Sequence, residues 1–395
     1  VNQFFWPDIA ATAQLLSDLA FDAAEDGWEV SALAGTAPYD VLGGRRLPVR
    51  ETVRGVSIER LPTSPLRRGL ARDGASYASF LARVASRALR SRRGDVVLTL
   101  STPPFVAVAG WLARRRGARF VYKVEDLYPD VAIALGAVRS RALATVLRRA
   151  SRALLRSADA VVVLDDAMRA RVERERGGER GLHVIPNWAD GEAVRPSAPS
   201  SSAFRASLGI PPGAVVFGYS GNLGRAHRFD ALLEAARRLE RRRPEAVFLF
   251  TGGGSQQGLV AAAARTSRNV LLRGFQPRER LGDVLAASDV HVVTLRPEVE
   301  GLLFPSKVAG VLAAGRPVLF LGDPGGALAR EIREAGVGWC APHDPDAVET
   351  TIESIASDPE GRAEKGRAAR AHFERRYARA AMRARWLRVL EEVRA

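Results

Sequence analysis

Two similar halves, each a parallel sheet wrapped by helices, are the α/β architecture that this sequence predicts. Short β-branched runs alternate with longer helical segments from end to end. The 395 residues exceed the size at which one hydrophobic core keeps growing, and 47% apolar content is enough for two cores. Near the middle a stretch rich in Pro, Ser, Ala and Gly, without apolar period, interrupts the alternation.

In the first half a helix is expected over 12–26, where Leu15, Leu16, Leu19 and Ala23 form one stripe and Gly27 ends it. Strands are expected over 29–34, 56–61, 95–100, 119–124 and 160–164, each a short apolar run bounded by a turn or a helix. The second half repeats the pattern over 214–221, 246–252, 270–275, 290–295 and 317–322. The predicted division is a first domain over 1–190, a linker over 191–212, a second domain over 213–375 and a terminal helical segment over 376–395 that packs back on the first domain. A cleft between the halves is expected, and the loops after the strand ends should face it.

Composition narrows the function. The single cysteine, Cys340, rules out an internal disulfide framework and a cysteine-built zinc site, which fits a reducing cytoplasm. No apolar run reaches 18 residues, and the opening residues lead one to expect no signal peptide. It opens on VNQFFWPD, without Met or a complete first strand, so some native N-terminal residues are expected to be missing. The net charge of +15 invites a polyanion partner. Yet only Lys123, Lys307 and Lys365 are lysines among 59 basic residues, an arginine skew that is partly compositional, and no nucleic-acid reader motif accompanies it. Against that background a lysine marks a place where a compact ammonium is wanted.

Several loops carry chemistry. In YSGNLGRAHRFD, Gly221 and Gly224 let backbone amides approach an oxyanion, and Arg225, His227 and Arg228 offer positive charge before a helix. TGGGSQQ, from Thr251, is a weaker version of the same layout. EGLLFPSK places Glu300 for ligand hydroxyls, the amides of Gly301, Leu302 and Leu303 for a phosphate, and Ser306 and Lys307 at a helix start. A lysine there opposes the helix dipole unless an anion joins it. In KVEDLYPD, Glu125, Asp126 and Asp130 bunch near Lys123, either as sugar or proton-transfer groups or as helix caps. Asp165 and the Asp344 region read as caps, and no metal-ligand spacing occurs among the five histidines. The segment 77–93 puts Tyr77, Phe80, Leu81, Val84 and Leu89 on one face and Arg83, Arg87 and Arg90 on another. It reads as a core-packed helix with a solvated face or as a helix lying on anionic lipid.

In ordered series, these segments together with VIPNWAD and the arginine-rich terminal helix resemble the retaining GT-B glycosyltransferases of family 4, in the bacterial polysaccharide and glycolipid branch. The resemblance implies two Rossmann-like domains facing each other across a cleft. A nucleotide-sugar donor, UDP-linked, is held mainly by the second and a saccharide or lipid-linked acceptor mainly by the first. It further implies transfer with retention, no cofactor and no metal, at a cytoplasmic location or on the inner face of the cell membrane.

On this resemblance Arg225, Lys307, Glu300 and Asp126 are catalytic. Gly221, Asn222, Gly224, Gly301, Leu302, Leu303 and Ser306 bind the donor, and Phe275 packs on its base. Glu125, Ala11 and Thr12 lie on the acceptor side. Two departures stand out. The family's second glutamate falls on Val308 or Gly310, and its histidine before the aspartate is Glu125. A catalytically weak scaffold partnering an active transferase, or a sugar-nucleotide epimerase of the same fold, remain the alternatives.

Overall fold

A computed structural model describes residues 1–8, 10–36, 47–63 and 70–395, and of 70–76 the backbone alone. It divides into two compact units. Unit 1 is Val1–Pro186 with Leu302–Phe304 and Met382–Ala395; unit 2 is Asn187–Gly301 with Pro305–Ala381.

Unit 1 runs α1 (Ala11–Glu25), β1 (Val30–Gly35), β2 (Arg50–Val53), β3 (Val56–Leu61), α2 (Leu70–Ala88), β4 (Val96–Leu100), α3 (Val108–Arg115), β5 (Arg119–Lys123), α4 (Asp130–Ala134), α5 (Arg141–Ser157), β6 (Ala160–Val163), α6 (Asp166–Arg176) and β7 (Leu182–Val184). A parallel sheet β4-β5-β6-β7 lies beside a smaller β1-β3-β2 sheet, in which β2 pairs antiparallel with β3. The first residues join the two: Asn2 N–H donates to Leu33 O, and Val1 N–H donates to Leu98 O at 2.7 Å. Asp165 caps α6 by accepting the Met168 N–H at 2.7 Å, as its position suggests.

The apolar stripe of α2 is spent in the core. Phe80 and Val84 are buried with Val106, Ala109 and Ala113 of the α3 region, Arg87 pairs with Glu59, and Leu89 lies past the helix end. Within 77–93, Phe80 and Val84 are thus core-packed, whereas Tyr77 and Leu81 are partly buried and Leu89 is exposed.

Unit 2 runs α7 (Ala203–Ser207), β8 (Val215–Ser220), α8 (Asp230–Arg242), β9 (Ala246–Thr251), α9 (Gln257–Thr266), β10 (Val270–Arg273), α10 (Leu281–Ala286), β11 (Val290–Thr294), α11 (Lys307–Ala313), β12 (Val318–Leu321), α12 (Ala327–Glu334), β13 (Gly338–Ala341), α13 (Pro345–Ser357) and α14 (Pro359–Arg376). A last helix, α15 (Arg379–Arg394), continues into the residues grouped with unit 1. The six strands pair in parallel in the order β10-β9-β8-β11-β12-β13. Both faces are covered, so the strands read as nearly unbroken apolar runs. Phe217, Tyr219, Phe229, Phe248 and Phe250 build the core on one side, and Phe204, Val216, Val247 and Leu249 pack the other. Part of the stretch read as a linker, 191–212, is thus packed structure. Its composition concealed α7, whose Phe204 is buried and whose Arg205 is tied to Asp289 and to the carbonyls of Ala214 and Ala287.

Candidate functional site

In a doubly wound sheet the strand order reverses at one point, and the loops leaving the two strands there part to opposite faces and open a crevice. In unit 2 that point lies between β8 and β11, which are paired neighbours. The loops leaving them carry YSGNLGR and EGLLFPSK, so topology brings the two motifs together.

Lys307, the first residue of α11, spans the distance between these loops. Its Nζ lies 3.4 Å from the centroid of the Tyr219 ring at the end of β8, and a Cβ added at Gly221 would lie 3.9 Å from it. The amine is buried and hydrogen-bonds to nothing among the described residues. Burial therefore drives its pKa well below the usual lysine value. The Tyr219 hydroxyl is fixed by donating to Asn222 O at 2.7 Å, so the ring beneath the amine is held in place.

The glycine loop is supported from below. Gly221 and Gly252 have φ of 125° and 135°, and a Cβ at Gly252 would fall 2.0 Å from Gly221 O. A Cβ at Gly254 would meet Leu223 O at 2.7 Å. Gln256 Nε2 donates to Gly224 O at 2.6 Å and to His227 O at 2.9 Å. TGGGSQQ is therefore the bed on which the first loop lies, not a second, weaker copy of it. Phe275, 36% exposed, rests its ring edge against the bare face of Gly253, 3.2 Å from where a Cβ would stand. That arrangement leaves aromatic surface accessible beside the second glycine loop.

Not every predicted residue keeps its role. His227 Nδ1 lies 2.5 Å from Thr294 O, so that nitrogen carries the proton; burial, then Lys307, push the ring down to about 3. It is neutral and supplies no charge to a phosphate. Arg228 is committed to Asp230 through two hydrogen bonds, 3.0 and 2.6 Å. Arg225 is exposed and forms no ion pair among the described residues. Glu300 accepts the Ala327 N–H through Oε1 at 3.0 Å, and Gly326 leaves room for that carboxylate, since a Cβ there would lie 2.5 Å from it. Ser306 is exposed at the start of α11 without capping it. Gly301 has φ of 68° and stays with unit 2, whereas Leu302 and Leu303 group with unit 1, where Leu302 O accepts the Leu127 N–H at 2.7 Å. Val308 is buried, and a Cβ at Gly310 would meet Leu285 at 3.6 Å, so a side chain at either place would face the core.

Unit 1 holds the carboxylate cluster. The Ser101 hydroxyl accepts the amides of Glu125 and Asp126 at 2.9 and 3.0 Å. Glu125, expected on the acceptor side, is buried and ion-paired with the buried Lys123. Asp126 accepts from Thr102 Oγ1 at 3.3 Å; burial first, then Glu125, push its carboxyl up to about 7, against the pull of Thr102 and Lys123. Asp130 pairs with Arg148, and Pro129 occupies the N-cap position of α4, so neither Asp126 nor Asp130 caps it. Ala11 and Thr12 form the first turn of α1.

Comparison with known proteins accords with this arrangement. Residues 11–188 match the family described as glycosyl transferase 4-like domain, and residues 200–372 match glycosyl transferases group 1. Over 297 residues, 73% of this chain and 72% of the relative, the sequence is 33% identical to the probable glycosyltransferase WbjE of Pseudomonas aeruginosa. The chain belongs to this glycosyltransferase family. The glycosyltransferase is also 25% identical, over 74% of its length and 72% of the relative's, to the putative colanic acid biosynthesis glycosyl transferase WcaI of Escherichia coli K12. Among solved structures it is similar to the sucrose-phosphate synthase of Thermosynechococcus elongatus, with a TM-score of 0.75 at 19% identity over 97% of this chain and 93% of that one. It is likewise similar to Anabaena HepE in complex with UDP-glucose, with a TM-score of 0.72 at 18% identity over 99% and 98%. The glycosyltransferase therefore has the GT-B fold of two Rossmann-like domains. Gln256 and Tyr219, which hold its loop and its lysine, went unnoticed in the sequence. The signal for Gln256 was present as a polar residue just past three glycines; Tyr219 reads only as a core strand residue.

Proposed function

We propose that this glycosyltransferase transfers a sugar from a UDP-linked donor to a saccharide or lipid-linked acceptor, with retention at the anomeric carbon and without a metal ion. The observation that carries the reading is the Lys307 amine, buried without a hydrogen-bond partner at the point where the unit 2 sheet reverses. A buried amine in that state is costly unless an anion joins it. A diphosphate laid over the Gly221 loop supplies one, and Phe275 offers a face for the base. The similar Anabaena HepE, solved in complex with UDP-glucose, supports the choice of donor.

As the bond from the anomeric carbon to the phosphate oxygen breaks, negative charge collects on the departing diphosphate. Loop amides and the Lys307 ammonium, with Arg225 reaching in from the exposed side, stabilise it. The acceptor oxygen bonds to the same face of the anomeric carbon, and its proton passes to a departing phosphate oxygen. Glu300, held by the Ala327 amide, is oriented to receive hydroxyls of the donor sugar. Incubation with UDP-, GDP- and dTDP-sugars and an acceptor extract should release UDP from a UDP-sugar; no nucleoside diphosphate from any donor would defeat the proposal.

A further inference from the structure

Helix α5 leaves a basic and apolar face uncovered on unit 1. It carries Arg141, Arg148, Arg149, Arg152 and Arg156 and no carboxylate. Ala144, Leu154 and Leu155 are its buried side. Leu143 and Val146, one turn apart on a different side, are 48% and 59% exposed, and Ala142, Ala150 and Ala153 beside them are exposed as well. Arg148 and Arg152 are paired with Asp130 and Glu175. Arg141, Arg149 and Arg156 form no ion pair among the described residues. At the end of the helix, Arg156 lines a cavity of about 710 Å³ with Arg114, Arg119, Arg176 and Arg180, where only Asp159 and Glu392 carry the opposite charge.

Helix ends account for some of this charge, since α3, α5 and α6 all finish in basic turns, where the macrodipole favours cations. The dipole does not account for Leu143 and Val146 standing in solvent beside unpaired arginines. Apolar residues flanked by arginine without any acid match the chemistry of an anionic bilayer, in which the apolar groups enter the headgroup boundary and the guanidinium groups meet lipid phosphates. We propose that α5 docks unit 1 onto an anionic lipid surface. The helix belongs to unit 1 and the proposed donor loops to unit 2, so the test needs no catalytic readout.

The full chain is floated with vesicles of phosphatidylcholine alone and with vesicles containing phosphatidylglycerol. Binding is expected only to the second kind, and salt should weaken it. The double variant Leu143→Glu/Val146→Glu should keep the wild-type melting temperature and bind roughly tenfold or more weakly, even at low salt. Arg141→Glu/Arg149→Glu should bind more weakly too, and serves if the first variant misfolds. Wild-type protein that stays in solution with anionic vesicles, or Glu variants that float like wild type, would overturn the proposal. A dimer lost in the Leu143→Glu/Val146→Glu variant, without vesicle binding by wild type, would assign the face to a second copy and overturn it as well.

Discussion

Replacing Lys307 by methionine keeps most of the side chain's volume and removes its amine, and the structure predicts effects of opposite sign on stability and binding. Because the folded pKa of the amine lies below its ordinary 10.5, the unfolded chain binds the extra proton between those two values, and stability rises with pH across that interval. Lys307→Met abolishes this rise and should melt higher than wild type at pH 7. Binding of UDP should suffer, since a charge-assisted hydrogen bond is worth about 1.5–3 kcal/mol, or roughly 10- to 150-fold in affinity. Thermal melts with and without UDP, over a pH series, measure both effects. Lys365→Met is the control: that ammonium lies 5.3 Å from the Trp339 ring centroid and has no place in the site. A UDP-induced shift in Lys307→Met equal to that of wild type would refute the phosphate-binding role. A lower melting temperature at pH 7 would refute the argument from burial.

Three other perturbations test neighbouring steps. Gly252→Ala places a methyl 2.0 Å from Gly221 O at a φ of 135°, so calorimetry should show a loss of about 2 kcal/mol or more and titration should show no UDP binding. Phe275→Ala, at a position 36% exposed, should leave the melting temperature unchanged and weaken UDP binding by about 1–3 kcal/mol if the base stacks there; unchanged affinity removes the ring from the site. Asp126 is held near 7 against an ordinary 3.8, so the folded state binds the extra proton and wild-type stability should fall as pH rises from 4 to 7. Asp126→Asn should flatten that slope and be the more stable protein at pH 8, which a melting series from pH 4 to 9 checks.

Much of the strand framework was legible, because buried parallel strands are short apolar runs between turn residues. β3 falls where it was expected, and β1, β4, β5 and β8 differ from expectation by a residue or so at their ends. The strands that escaped notice, β2, β7 and β13, are three or four residues long and include polar or partly exposed positions, so neither alternation nor an apolar run marks them. In the site, loop residues were readable from glycine and charge, but the side chains' partners were not. His227 and Arg228 look like phosphate ligands in a row of letters; one is neutral against a carbonyl and the other is held by Asp230. Lys123 and Glu125 were the recoverable case, since residues two apart along extended chain share a face.

Unit 1 draws Met382–Ala395 from the far end of the chain, including Trp386, which is fully buried. Synthesis runs in the other direction. When the ribosome has finished Val1–Pro186, the first unit still lacks Met382, Trp386, Val389 and Leu390, and nearly two hundred residues must follow before they emerge. Unit 2, by contrast, arrives in two adjoining pieces, Asn187–Gly301 and Pro305–Ala381. The half made first is therefore the half completed last. A nascent chain stalled near Ala381 should present a protease-resistant second unit and a first unit that is still cleavable.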